Sequence, residues 1–292
     1  MGDRRGTAAG LWWGLLGVAA FSLTMPFTRV AVAGLPPLFV GAGRAAVAGC
    51  VALVVLLLTR QPWPTRRQWV RLAVVALGVV VGFPFLTSYA MQWAPASHGA
   101  VVTAFLPAAT AVLAVLRVRE RPRPRFWVFS GAGAVAALVF AALQNGGLGG
   151  LHVADWLLLG AVLLAAVGYA EGGVLSRELG SWQTVSWALV LSLPVMLVLS
   201  GASALTQPFT PGPAQWAAFA YLALISMYLG FFAWYRGLAI GPMARVSQVQ
   251  LVQPVMTIAW SALILGESVG WSTVMGGVAV ILCAAFAVRS RR

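Results

Sequence analysis

The sequence predicts an all-α fold: a polytopic membrane protein of ten transmembrane helices arranged as two inverted five-helix repeats. Three observations carry this. Of 292 residues, 61% are apolar and 9% charged, against about 45–50% and about a quarter in soluble domains, so a soluble fold is excluded. The mean hydropathy is +0.90; at about 20 apolar residues per crossing, the length holds about ten spans and no large extramembrane domain. Finally, the chain repeats itself at about half its length.

Breaks of arginine, proline, glycine and polar residues divide the apolar runs in order. The first five are Ala8–Ala33, Leu38–Leu58, Leu72–Met91, Gly99–Leu116 and Phe126–Leu143. The second five are Trp156–Leu175, Trp182–Leu199, Trp216–Tyr235, Val246–Leu265 and Trp271–Val288. Only helices or closed barrels satisfy the backbone in lipid, and these runs are too long for barrel strands. The first run has some look of a signal peptide, with Arg4 and Arg5 ahead of it and Ala31-Val32-Ala33 as a cleavage-like site. Its apolar stretch is too long for an h-region, and the repeat needs this helix as the partner of the sixth.

All 19 basic residues are arginine, against six acidic ones, for a net charge of +13. Seventeen lie in the two terminal segments and alternate connections; Val32–Pro37, Gln92–His98, Gln144–Asp155, Ser200–Gln215 and Gly266–Gly270 carry none. The positive-inside rule then puts both termini in the cytoplasm of a cell whose inner (plasma) membrane the chain crosses many times. The run Arg117, Arg119, Arg121, Arg123 and Arg125 reads as a headgroup anchor, so no nucleic-acid partner is expected; the lipid bilayer and a small-molecule substrate are. Cys50 and Cys283 sit inside apolar runs, as small hydrophobes do. His98 and His152 lack neighbours at metal-ligand spacing, so neither a metal nor a cofactor is expected. The sequence does not give an oligomeric state.

Sliding the chain by 147 residues superposes Pro95 on Pro242, Pro107 on Pro254 and Glu120 on Glu267. PASHGAVVTAFLP thereby meets PMARVSQVQLVQP, and LLGVAAFS of the first span meets VLLAAVGY of the sixth. This sets repeats at 8–145 and 152–290. With an odd number of spans each, the second copy enters the membrane from the opposite side, as in many alternating-access transporters.

These stretches, with WGLLGVAAFSLTMPFTRVA, the Arg44-Ala-Ala of span two, AMQWAPASHGAVVTAFLP and GLAIGPMARVSQVQLVQP, resemble the drug/metabolite transporter superfamily, specifically its ten-helix EamA-type members. The resemblance covers almost the whole chain. It implies transport of small metabolites through a central cavity lined mainly by spans one, three, four, six, eight and nine.

Ionisable groups inside spans are costly and mark function or pairing. Arg29 and Arg44 both fall in the outer part of the membrane, and each admits either a structural role or the grip of a substrate carboxylate. Glu171, beside Tyr169 in GYAEGG, is a candidate proton carrier or cation receptor, or the partner of Arg177 or another inner arginine. Span nine offers Ser247, Gln250 and Gln253, for substrate or for interhelical hydrogen bonds; Thr103 is the repeat counterpart of Gln250. Phe83, Phe85, Tyr89, Tyr228, Trp234 and Tyr235 are candidates for an apolar cavity wall. Trp12, Trp63, Trp69, Trp156, Trp182, Trp216 and Trp271 lie at span ends as belt residues. Pro26, Pro84, Pro107, Pro194 and Pro254 interrupt runs; Pro107, Pro254 and Pro26 are hinge candidates, and a static kink fits equally. Glu120 and Glu267 read as caps or dipole partners.

The function expected is an alternating-access exporter or facilitator of small polar metabolites, with amino acids foremost. The alternative is proton-coupled efflux of cationic or lipophilic drugs, which needs Glu171. No nucleotide-binding loop occurs, and no nucleophile, acid–base pair or metal cluster for a membrane-embedded lipid enzyme is evident, so no catalytic residue is assigned.

Overall fold

A computed structural model describes residues 2–118, 124–144, 152–207, 209–241, 246 and 249–290. Helices form in chain order: α1 (Gly2–Ser22), α2 (Thr24–Val32), α3 (Pro37–Leu58), α4 (Arg66–Val75), α5 (Phe83–Ala90), α6 (Ala96–Thr103), α7 (Leu106–Val118), α8 (Pro124–Gln144), α9 (Val153–Leu179), α10 (Ser181–Thr206), α11 (Pro213–Tyr221), α12 (Gly230–Ile240), α13 (Gln253–Leu265) and α14 (Trp271–Ser290). Among the described residues there is no strand. Wider π turns, Ala76–Gly82 and Leu222–Leu229, join α4 to α5 and α11 to α12, and a 3-10 turn, Gln250–Val252, leads into α13.

Among the described residues six helical stretches are long and apolar enough to cross a bilayer: Ala8–Val32, Pro37–Leu58, Arg66–Ala90, Val153–Leu179, Ser181–Thr206 and Pro213–Ile240. The helices reach beyond the apolar runs because local caps extend them. Thr65 and Gln68 form a capping box that starts the third span at Arg66, six residues ahead of its apolar run, and so carries Arg71 into a helix. The Asp155 carboxylate accepts the His152 N–H at 2.9 Å at the head of α9. Between α9 and α10 the whole connection is Gly180, at φ 97°, a backbone angle natural to glycine.

The largest interfaces pair α3 with α10, α1 with α12, α8 with α14, and α9 with α5, α7 and the first π turn. Each joins a helix before residue 145 to one after residue 152. Small residues let α1 and α12 meet closely: a Cβ at Gly237 would stand 2.8 Å from the Gly14 nitrogen and 2.9 Å from the Gly10 carbonyl, the close approach that small residues spaced four apart permit. The faces turned outward are apolar, with Leu58, Val198, Leu205 and Leu263 exposed. Trp12 is exposed on α1, Trp63 in the connection before α4, and Trp156 and Trp271 in the first turns of α9 and α14; interfacial belts are built of such exposed tryptophans.

Span one is broken at Leu23 and resumes with Pro26 in the first turn of α2. Proline has no N–H, so the carbonyl four residues earlier, Ser22, loses its helical donor. Thr257 on α13 supplies the replacement, its hydroxyl donating to the Ser22 carbonyl at 2.8 Å, while Trp260 Nε1 donates to Ser22 Oγ at 3.1 Å. Pro107 and Pro254 likewise occupy the second position of α7 and α13, each just after a break. Thr257→Val should lower stability by about 1–2 kcal/mol by orphaning the Ser22 carbonyl, read as a lower unfolding midpoint in detergent; an unchanged midpoint would show that this carbonyl finds another donor.

Candidate substrate site

The cavity in the middle of the bundle forms where five spans depart from regular helix. Thr24 follows the break in span one, Val79 lies in the first π turn, Thr103 and Leu106 flank the break between α6 and α7, Ser226 and Met227 lie in the second π turn, and Gln253 opens α13. The cavity is tight, about 30 Å³, well below the about 300–1,000 Å³ usual for small-molecule sites, so a metabolite would require the surrounding helices to part. Phe21, Phe83, Phe231 and Tyr169 give it an aromatic wall. The Tyr169 ring lies 6.5 Å from that of Phe21 and 6.0 Å from that of Phe231.

Arg44 supplies the charge. It is 1% exposed and lines the cavity, yet its guanidinium reaches only Thr87 Oγ1, at 3.4 Å. The Thr87 hydroxyl donates to the Phe83 carbonyl at 2.7 Å, which leaves its lone pairs for Arg44. Arg44 Nε has no partner, and among the described lining residues no carboxylate is present. A buried charge without its counterion costs several kcal/mol.

The polar groups around it come from both halves. Thr24 Oγ1 and Ser226 Oγ are 2.7 Å apart and join span one to span eight. Among the described residues Gln253 Oε1 is buried without a partner, as are both amide atoms of Gln250, which is 2% exposed but does not line the cavity. Thr103 Oγ1 donates to the Gly99 carbonyl at 2.8 Å, leaving its lone pairs unspent.

Of the residues singled out from sequence, Arg44, Thr103, Tyr169, Gln253 and Phe83 line this cavity. Trp234 and Tyr235 are instead packed in the core behind it, Trp234 with its ring 5.8 Å from that of Tyr169 and Tyr235 donating to the Gly168 carbonyl at 3.4 Å. Tyr89 is half-buried and off the wall. Tyr228 bonds Ser186 at 2.9 Å. Ser247, Pro242 and Glu120 lie outside the described residues. Thr24, Ser226, Phe21 and Phe231 were missed; hydroxyls at Thr24 and Ser226 inside otherwise apolar runs were the available signal.

Glu171 is elsewhere. Its carboxylate is paired with Arg71, which also holds Glu178, and it faces a cleft shared with Val74, Leu113 and Ala170 rather than the cavity. Its partner is thus Arg71, on span three, rather than Arg177. Arg29 donates to the Met91 carbonyl at the opposite end. There His98 Nε2 lies 2.7 Å from Asp155 Oδ1, a contact across 57 residues that sequence spacing did not reveal. Glu267 caps α6, accepting the N–H groups of Ala96 and Ser97 at 2.8 and 2.9 Å. Among the described residues, no three His, Cys, Asp or Glu side chains come together as a metal site.

A family model described as "EamA-like transporter family" matches the chain twice, over residues 8–142 and 152–289. An "Uncharacterized transporter YdeK" of Bacillus subtilis (strain 168) is 47% identical over 284 residues, 94% of this chain and 96% of the relative. A second protein from that organism, "Uncharacterized transporter YvbV", is 23% identical over 90% of this chain and 86% of its own. A solved crystal structure has the same fold at a TM-score of 0.66 and 17% identity, covering 98% of this chain and 99% of the other.

The ion-pair cluster of span three and span six is a structural contact apart from the cavity. Glu171→Leu, which leaves Arg71 with Glu178 alone, should lower stability by about 1–3 kcal/mol while saturable transport persists. Transport lost at unchanged stability would instead make Glu171 a coupling group.

Proposed function

The chain belongs to the EamA-like transporter family, and on that premise we propose that it is an exporter or facilitator of small polar metabolites, amino acids foremost, working by alternating access. The observation that carries the reading is Arg44: a buried guanidinium in a membrane-centred cavity, without a carboxylate among the described lining residues. A substrate carboxylate meets it with two parallel hydrogen bonds. The ammonium of an amino acid donates to Gln253 Oε1, a buried acceptor without a partner among the described residues, with Thr103 as a further polar contact. The side chain packs on Phe21, Phe83, Tyr169 and Phe231.

In this reading the halves 8–145 and 152–290 are inverted repeats in the plasma membrane, with both termini cytoplasmic and the arginine-free connections outside. Two features support the repeat. The π turns start 146 residues apart and end 147 apart, and the prolines after the breaks, Pro107 and Pro254, share that spacing. Pro26, Pro107 and Pro254 are the hinges, each set where a span is already interrupted beside the cavity. Drug–proton exchange through Glu171 is disfavoured, because that carboxylate is bound to Arg71 and turned away from the cavity.

Counterflow of labelled amino acids into proteoliposomes, with and without an imposed proton gradient, tests the reading. Saturable uptake without a gradient is expected, reduced at least tenfold by Arg44→Gln. No amino-acid uptake, with proton-driven flux of cationic dyes, would overturn it.

A further inference from the structure

The bundle end that carries the arginine-free connections opens in a second cleft, bordered by Arg29, Val30, Pro95, Gln215, Leu265 and Glu267. Arg29 comes from the end of α2 and Glu267 from the connection between α13 and α14. They bring opposite charges to one space, yet they do not pair: the ion pairs among the described residues are Arg71 with Glu171 and Glu178, and His98 with Asp155.

Each charge is instead fixed by backbone. The Arg29 guanidinium donates to the Met91 carbonyl, and the two Glu267 oxygens accept the Ala96 and Ser97 N–H groups. One of the five guanidinium donors is so engaged, and each carboxylate oxygen keeps a lone-pair direction. Two opposite charges that share a cleft and are anchored apart form a receptor for a molecule carrying both signs. The wall between them, from Val30, Pro95 and Leu265, is apolar.

We propose that this cleft is a second binding site, for a zwitterion, with the carboxylate on Arg29 and the ammonium on Glu267. It deepens, and rests on, the amino-acid reading of the central cavity by giving the cargo a separate docking point at the mouth. The two sites use different residues, so they are separable. Arg44 holds the carboxylate at the centre, whereas Arg29 holds it at the entrance.

The test is equilibrium binding of labelled L-leucine to the full-length protein in detergent. Two sites are expected in the unaltered protein, one weaker site in Arg44→Gln, and none once Arg29→Gln is added. N-acetyl-leucine, which lacks the ammonium, should compete at the remaining site at least fivefold more weakly than leucine, and Glu267→Gln should erase that difference. Should Arg44→Gln fail to fold, Arg29→Gln alone decides: half-saturating leucine on the face to which this end opens should rise at least fivefold, while the opposite face changes less than twofold. Leucine binding that is indifferent to Arg29 and Glu267, or equal shifts on both faces, overturns the proposal. The unaltered protein's counterflow separates the two ideas. Leucine that binds through Arg29 without being carried sinks the transport reading and keeps the site, and carriage without an Arg29-dependent site does the reverse.

Discussion

Inside a bilayer, a peptide carbonyl or N–H that loses its helical partner has no water to turn to and must be met by another protein group. The site depends on this constraint. Three spans are interrupted beside the cavity at or just before a proline, and two more widen into π turns, geometry that recurs at functional positions in helices. At span one the compensation is visible: Thr257 and Trp260 reach across from α13 to Ser22, and Tyr221 donates to the Ala20 carbonyl at 3.0 Å. The interruptions therefore draw polar side chains across from neighbouring spans to the freed carbonyls.

The same logic separates the two kinds of buried charge. Arg71 is surrounded by acids and is satisfied by them, so it holds span three to span six. Arg44 is buried more deeply, with a single weak threonine contact and no carboxylate among the described residues around it. The two arginines thus differ both in depth and in partners.

Much of the fold was legible in sequence, because composition and the length of apolar runs directly reflect the solvent in which helices must survive. Helix ends were less so. Thr65 and Gln68 carry span three back to Arg66 by hydrogen bonds that hydropathy does not register. Within the site, Arg44 and Gln253 stood out because polar groups in apolar runs are conspicuous. Tyr169 and Trp234 looked alike in sequence, yet one lines the cavity and the other backs it, because which face of a helix turns inward depends on its rotation against neighbours. For Glu171 the deciding fact was Arg71, a residue 100 positions away that the arginine census assigned to a connection.

The break at Leu23 and the π turn at Leu222–Leu229 divide spans one and eight at neighbouring levels, and the resulting pieces keep separate company: α1 lies along α12, while α2 lies along α11. Two parallel rods, each jointed near the depth of the cavity, make a pair of scissor blades with a shared pivot. Displacement at a pivot is small and grows with distance from it, so a modest change in angle there moves the ends of the blades far more than the side chains around the cavity.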